Sequence, residues 1–272
     1  EKEAPRILKD VRTAMSRSVV RSDEGVCHPY VAGERTCADM RPAGAHVSGT
    51  SGPYNSRANE PWRTYSGMLW SGGLDAQQVS EIVAFNQNSS KLSRLGVWGG
   101  GNDFENRLTS FTEQGHGYGL VQHGLVRPFL LQLYAEMAHA CSRGSWTCFE
   151  TRGLPDWTPA GGYATPSQVV IPLRVRWMLV FVDPIDRSVS LCRATPRSWL
   201  ATGEKGIVVR NAPLGQRRLS FAVAPRLGES PPTVSANISL SDPGGGSSLP
   251  AAPPLSITLR VPLGFSLVSV TV

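Results

Sequence analysis

The hydrophobic period of this chain changes near Asp183, and that change limits its architecture more than any other feature. Before Asp183 apolar residues recur three and four positions apart, the period of a helix. After it they alternate in short stretches bounded by Gly, Pro, Asn or Asp, the period of strands. The sequence therefore predicts an α+β, multidomain chain: residues 1–183 α-helical with long loops, and residues 184–272 an antiparallel β-sandwich.

Within the first part, Pro5 to Val20 carries Leu8, Val11 and Met15 at helical spacing, with Ile7 beside them. Residues 21–60 read as one long loop rich in Gly, Ser, Pro and Asn. A short helix is expected over Trp62 to Trp70. A second runs from Ala76 to Asn86, with Asp75 as its N-cap and Val79, Ile82, Val83 and Phe85 on its core face. Gly119 to Cys141 is apolar nearly all round and reads as one buried helix, with Pro128 near a start or a kink. Pro166 to Asp183 reads as another.

The second part offers about six short strands. They are Ser188 to Arg193, Gly206 to Val209, Leu219 to Val223, Val234 to Leu240, Leu255 to Val261 and Phe265 to Val272. Asp242 to Pro254 is low-complexity and reads as a loop.

Composition removes several functions. The net charge is +6, but the arginines are scattered and lysine occurs only at Lys2, Lys9, Lys91 and Lys205. Nucleic-acid binding calls for a basic stripe, so none is expected. No apolar run of membrane-spanning length exists. The sequence also lacks a P-loop, a GxGxxG after a strand, a GxSxG elbow and an HExxH pair. No cofactor and no metal are expected.

Five cysteines fall as two close pairs, Cys27 with Cys37 and Cys141 with Cys148, leaving Cys192 over. The spacings suit two local disulfides of a secreted protein better than a zinc site, although five reduced thiols are the plainer alternative. Asn88 and Asn237 each begin an N-glycosylation triplet, which adds to a secreted or extracellular reading. The chain opens at Glu1 rather than Met, so a processing site upstream is expected.

Candidate chemistry gathers in the loops. Trp62, Trp98, Tyr118, Trp146 and Trp157 could stack on the apolar face of a sugar ring, and Arg63, Arg143 and His116 could reach its hydroxyl rim. Glycoside hydrolysis needs two carboxylates, about 6.5–9.5 Å apart for inversion and about 5–5.5 Å for retention. Glu150, Glu113 and Asp103 are the candidates, with Glu105 beside them. Each has a plainer reading. Glu150 could pair with Arg143 or Arg152, Asp103 could cap a turn, and Glu105 and Glu113 could be solvated. His116 lies among glycines and reads as a loop residue open to ligand, whereas His123 and His139 read as core histidines.

These residues carry a resemblance. Gly115 to His123, then Arg143 to Thr147 with Glu150, and the run Pro172 to Phe181, resemble the late helices of bacterial (α/α)6-toroid glycoside-hydrolase-like proteins. Arg193 to Leu200, Gly206 to Val209 and Ala212-Pro213 are similar to the junction into their C-terminal β-sandwich. The resemblance spans roughly residues 60–272 and implies a carbohydrate partner at a cleft on the toroid's loop end. A complete toroid has twelve helices. At about 11–12 residues each plus loops, residues 1–183 are too short for it. The resemblance thus implies that another chain, or a missing N-terminal part, completes the toroid; a smaller helical domain is the alternative.

Three functions compete. One is a glycoside hydrolase acting on a poly- or oligosaccharide. Another is a non-catalytic glycan-binding or scaffold subunit of an extracellular assembly. The last is a polysaccharide lyase with Tyr118 or His116 as base and Arg63 or Arg143 neutralising a uronate.

Overall fold

The computed structural model describes residues 5–7, 9–10, 12–13, 20–22, 25–27, 69–70, 72–88, 93–94, 97–98, 107–109, 114–142, 144–145, 147–153, 159–160, 162–242 and 251–266. Among them the chain is α+β, with small antiparallel and mixed sheets.

Among the described residues the helical period is realised in α1 (Ala76–Asn88), α2 (Gln114–Gln122), α3 (Val126–His139) and α4 (Thr165–Leu179). Helix α1 begins as expected. Asp75 accepts from the Gln78 N–H at 2.8 Å, and the Gln78 side chain accepts from the Asp75 N–H at 3.0 Å. This reciprocal capping box satisfies donors that the first turn leaves open. Val79, Ile82 and Val83 face inward and join Leu69, Leu120, Val121, Phe129, Leu133 and Met178 in one apolar core. The side chain of Phe85 lies outside the described residues.

The helix expected over Gly119 to Cys141 is in fact two. Gly124 adopts φ +70°, Leu125 N–H reaches back to Leu120 O at 2.8 Å, and Gly124 N–H to Val121 O at 3.1 Å. That bonding closes α2 in a Schellman motif, whose left-handed position suits glycine. Pro128 then falls in the first turn of α3, where its missing N–H costs no intrahelical bond. The upstream limit also moves: α2 starts at Gln114, so His116 and Tyr118 are helical rather than loop residues.

The helix expected over Pro166 to Asp183 stops at Leu179. The β-branched and aromatic run Val180–Val182 continues as strand β8, pairing antiparallel with β9 (Val189–Leu191). Likewise Val20 is not helical. It starts β1 (Val20–Ser22), which pairs with β2 (Gly25–Cys27) inside the expected long loop. Of the helix over Pro5 to Val20, the described residues 5–7, 9–10 and 12–13 are helical and exposed. Only Leu69 and Trp70, also helical, represent the helix expected over Trp62 to Trp70.

Between α1 and α4 lie β3 (Ser93–Arg94), β4 (Val97–Trp98), β5 (Arg107–Thr109), β6 (Thr151–Gly153) and β7 (Pro159–Ala160). β3 pairs with β4, and β5, β6 and β7 form an antiparallel sheet in that order. Val97 and Leu108 are buried with Ala135 of α3, which seats these short strands on the helices.

Beyond β9, Arg197–Leu200 forms a 3₁₀ turn, and β10 (Ile207–Leu214), β11 (Arg217–Arg226) and β12 (Thr233–Ser241) make an antiparallel sheet in chain order. Each is longer than its expected stretch. β13 (Leu255–Ile257) is shorter, and it corrects the all-antiparallel expectation: it runs parallel to β9. Val180, Val189 and Leu191 share one buried cluster with Ile207, Leu219, Phe221 and Val223 of the other sheet. Phe265 and Ser266 are in neither sheet, and residues 267–272 lie outside the described residues.

Helices and strands are joined by specific bonds. Arg193 donates to Val121 O at 2.8 Å and Gln122 O at 2.6 Å, two carbonyls at the C-terminus of α2, the first of which also accepts from Gly124 N–H. Trp199 packs against both apolar clusters.

Candidate functional site

The first constellation is buried. Glu136 of α3 and Arg174 of α4 form an ion pair with both side chains fully excluded from solvent. Beside it, His116 of α2 shares a 3.1 Å hydrogen bond with Gln132 of α3. With the amide oxygen as acceptor, the imidazole carries its proton on Nδ1. Burial holds His116 far below its usual range, to about 3, and the nearby Arg174 charge adds to that, while the Gln132 bond opposes it. The ring is therefore neutral at physiological pH. Burial pushes the Glu136 carboxyl up, to about 7, against the lowering pull of Arg174. A Cβ at Gly117 would sit 3.2 Å from Arg174 Nε, so the missing side chain gives the guanidinium its space.

This cluster fastens α2, α3 and α4 to one another. No sequence signal singled out Glu136, Gln132 or Arg174. Glu136 and Arg174 lie 38 positions apart, and their meeting depends on how α3 crosses α4. His116, expected in a ligand-facing loop, is instead the core histidine. His123 and His139 stand at helix ends and are only partly buried.

The second constellation reaches the surface, just beyond α3. Cys141 and Cys148 are disulfide-bonded, as the spacing suggested. The loop between them is knitted by Ser142, whose N–H and hydroxyl both donate to Thr147 O. Gln168 of α4 clamps the backbone of Cys148, accepting from its N–H and donating to its carbonyl. The loop is thereby tied to the same helix that carries Arg174.

Phe149 follows directly and stacks on Tyr163, with ring centroids 4.5 Å apart and planes 30° from parallel. The Glu150 N–H donates to Gly162 O at 2.9 Å, holding the two segments side by side. Arg152 lies over the Phe149 ring, its guanidinium carbon 5.3 Å from the centroid, and donates to Cys141 O. Tyr163 is 60% exposed, while Phe149 and Glu150 are half-buried. The exposed Tyr163 ring, backed by Phe149, can pack against a flat apolar ligand face.

Tyr118, expected as a ligand contact, belongs to a different cluster. It stacks on Trp70 at 5.1 Å, meets Trp177 edge to face and Phe181 at a 45° tilt, and its hydroxyl donates to Val182 O at 3.2 Å. Burial raises its pKa, Asp183 adds to the rise and Arg187 opposes it.

Other candidates fall elsewhere. Trp98 is in β4, Asn88 ends α1, and Asn237 is exposed on β12. Cys27 is in β2. Trp62, Arg63, Asp103, Glu105, Glu113, Arg143, Trp146, Trp157 and Cys37 lie outside the described residues. Glu150 is thus the one candidate catalytic carboxylate among the described residues, and those residues hold no group of three or more His, Cys, Asp or Glu able to bind a metal. No described helix is long and apolar enough to cross a membrane. No protein-family model, curated protein or solved structure matches this chain.

Proposed function

We propose that this chain is the glycan-contacting part of an extracellular carbohydrate-active protein, with Phe149 and Tyr163 as its sugar platform. The observation that carries this reading is the exposed Tyr163 stacked on Phe149, which follows a disulfide-braced loop. Aromatic rings immobilised by covalent and hydrogen-bonded supports lose little freedom when a ligand arrives. In this reading Glu150 and Arg152, next to Phe149 in the chain, contact the ring hydroxyls.

In this reading the protein is a glycoside hydrolase with Glu150 as one of its two carboxylates. The helices are part of an (α/α) toroid completed by another segment, and the two C-terminal sheets are a β-sandwich. What supports the sandwich is the apolar cluster common to both sheets. Support for the lyase alternative is weaker: His116 is sealed among helices and Tyr118 spends its hydroxyl on Val182 O.

Glycan-array screening followed by calorimetry tests the proposal. Tyr163→Ala should weaken binding by about tenfold, about 1.4 kcal/mol, with the fold intact. Glu150→Gln should leave binding in place and abolish turnover. If no poly- or oligosaccharide binds, or if binding ignores Tyr163, the platform is wrong. Binding without any turnover would favour the non-catalytic subunit.

A further inference from the structure

The two outer strands of the β10–β11–β12 sheet are built to opposite designs. β10 carries the devices that keep a sheet edge from pairing. Its register with β11 shifts between Val209 and Ala212, Asn211 there adopts φ 54°, Arg210 is exposed, and Pro213 has no N–H to offer. β12 has none of these. It pairs with β11 through nine consecutive residues without a bulge, and Thr-Val-Ser-Ala-Asn-Ile-Ser-Leu-Ser contains no charge, no proline and no glycine. Among the described residues nothing pairs with its other edge.

Among the described residues β12 also leaves apolar surface uncovered. Val234, Ala236, Ile238 and Leu240 stand opposite Pro225, Val223, Phe221 and Leu219 on β11, so they share the face that points to the core. Val234 and Leu240 pack against that core, whereas Ile238 is 38% exposed and Ala236 is exposed.

We propose that this edge pairs antiparallel with the same edge of a second copy of the chain, across a twofold axis at Asn237. Such an interface must be self-complementary. In that register Val234 faces Leu240 of the partner subunit, Ala236 faces Ile238 of the partner subunit, and Ser235 faces Ser239 of the partner subunit. Apolar meets apolar on the core side and polar meets polar on the other. Because the strand is uncharged, no like charges are opposed. The nearest acid, Asp242, is beyond the paired residues and is held by Arg217 at 2.6 Å. The dimer would contain one continuous six-stranded sheet. A glycan on Asn237 would sit on the axis and block it, so glycosylation and dimerisation exclude each other.

The test uses the whole chain made in a host that attaches no N-glycans. Sedimentation velocity across a dilution series should show a monomer–dimer equilibrium. Ser235→Lys with Ser239→Lys sets lysine against lysine across the axis and should weaken the dimer by about tenfold or more. Ser235→Lys with Ser239→Glu sets lysine against glutamate and should keep it. Hydrogen exchange on the unaltered chain gives a readout free of any folding defect: β12 amides should exchange more slowly as concentration rises. A chain that stays monomeric, two variants that dimerise alike, or β12 exchange indifferent to concentration would overturn the proposal.

Discussion

Glu136 and Arg174 meet with no solvent around either, so each is the other's replacement for water. Isolated burial of one charge is costly, whereas a paired burial comes close to break-even. Arg174→Met should therefore destabilise the chain by about 3–5 kcal/mol, because it strands the carboxylate. Glu136→Leu combined with Arg174→Met should recover most of that loss. Urea unfolding of the single and double variants measures both, and a double variant as unstable as the single would show that packing, not charge, dominates.

His116 gives the fold a pH dependence of known sign. Its folded pKa of about 3 lies below the ordinary 6.5, so the unfolded chain binds the extra proton between those values. Stability from this group is present above pH 6.5 and is lost as pH falls toward 3, at about 1.4 kcal/mol per pH unit. Glu136 acts in the opposite sense. Its folded pKa, about 7, lies above 4.5, and its contribution is lost as pH rises between them. The two slopes oppose each other between 4.5 and 6.5. Glu136→Gln should expose a stability that climbs with pH in that window, and His116→Asn one that declines. Denaturation midpoints taken across the window would reveal either slope.

Arg193 reaches 72 positions back to cap α2. Arg193→Ala removes donors from two carbonyls at the end of that helix and loosens the seam between helices and strands. A loss of about 2–3 kcal/mol is expected, since hydrogen bonds from charged donors exceed neutral ones. Amide exchange should quicken in α2 more than in β11. Uniform quickening would mean that Arg193 supports the whole fold rather than this junction.

The disulfide Cys141–Cys148 closes a short loop, and its removal by Cys141→Ser with Cys148→Ser should cost about 2–3 kcal/mol. Cys192 is a buried thiol pushed up to about 12 by burial. It should resist thiol reagents until the chain unfolds, because the thiolate is the reacting form. Titration of free thiols before and after denaturation checks this directly.

Much of the fold could be read from local pattern. Asp75 followed by Gln78 announces a helix start because both halves of the capping box lie within one turn. The Cys141–Cys148 pair was legible for the same reason. Gly124 with Pro128 four positions later held the signal that splits α2 from α3, but the unbroken apolar run across it reads as a single helix. The strand Val180–Val182 was missed because three apolar residues extend a helical pattern as readily as they begin a strand. The candidate site was less legible. Glycines around His116 suggest an open loop, yet in α2 Gly117 lets Arg174 close over the helix.

By itself, the sequence determined the capped start of α1 and the pairing faces of β11 and β12. These follow from contacts between near neighbours, which spacing alone encodes. Only the tertiary structure decided that His116 is sealed away, that Glu136 finds Arg174, that Phe149 stacks on Tyr163 and that β13 runs parallel to β9. Those outcomes depend on chain segments distant in sequence, whose meeting is set by the packing of whole helices and sheets.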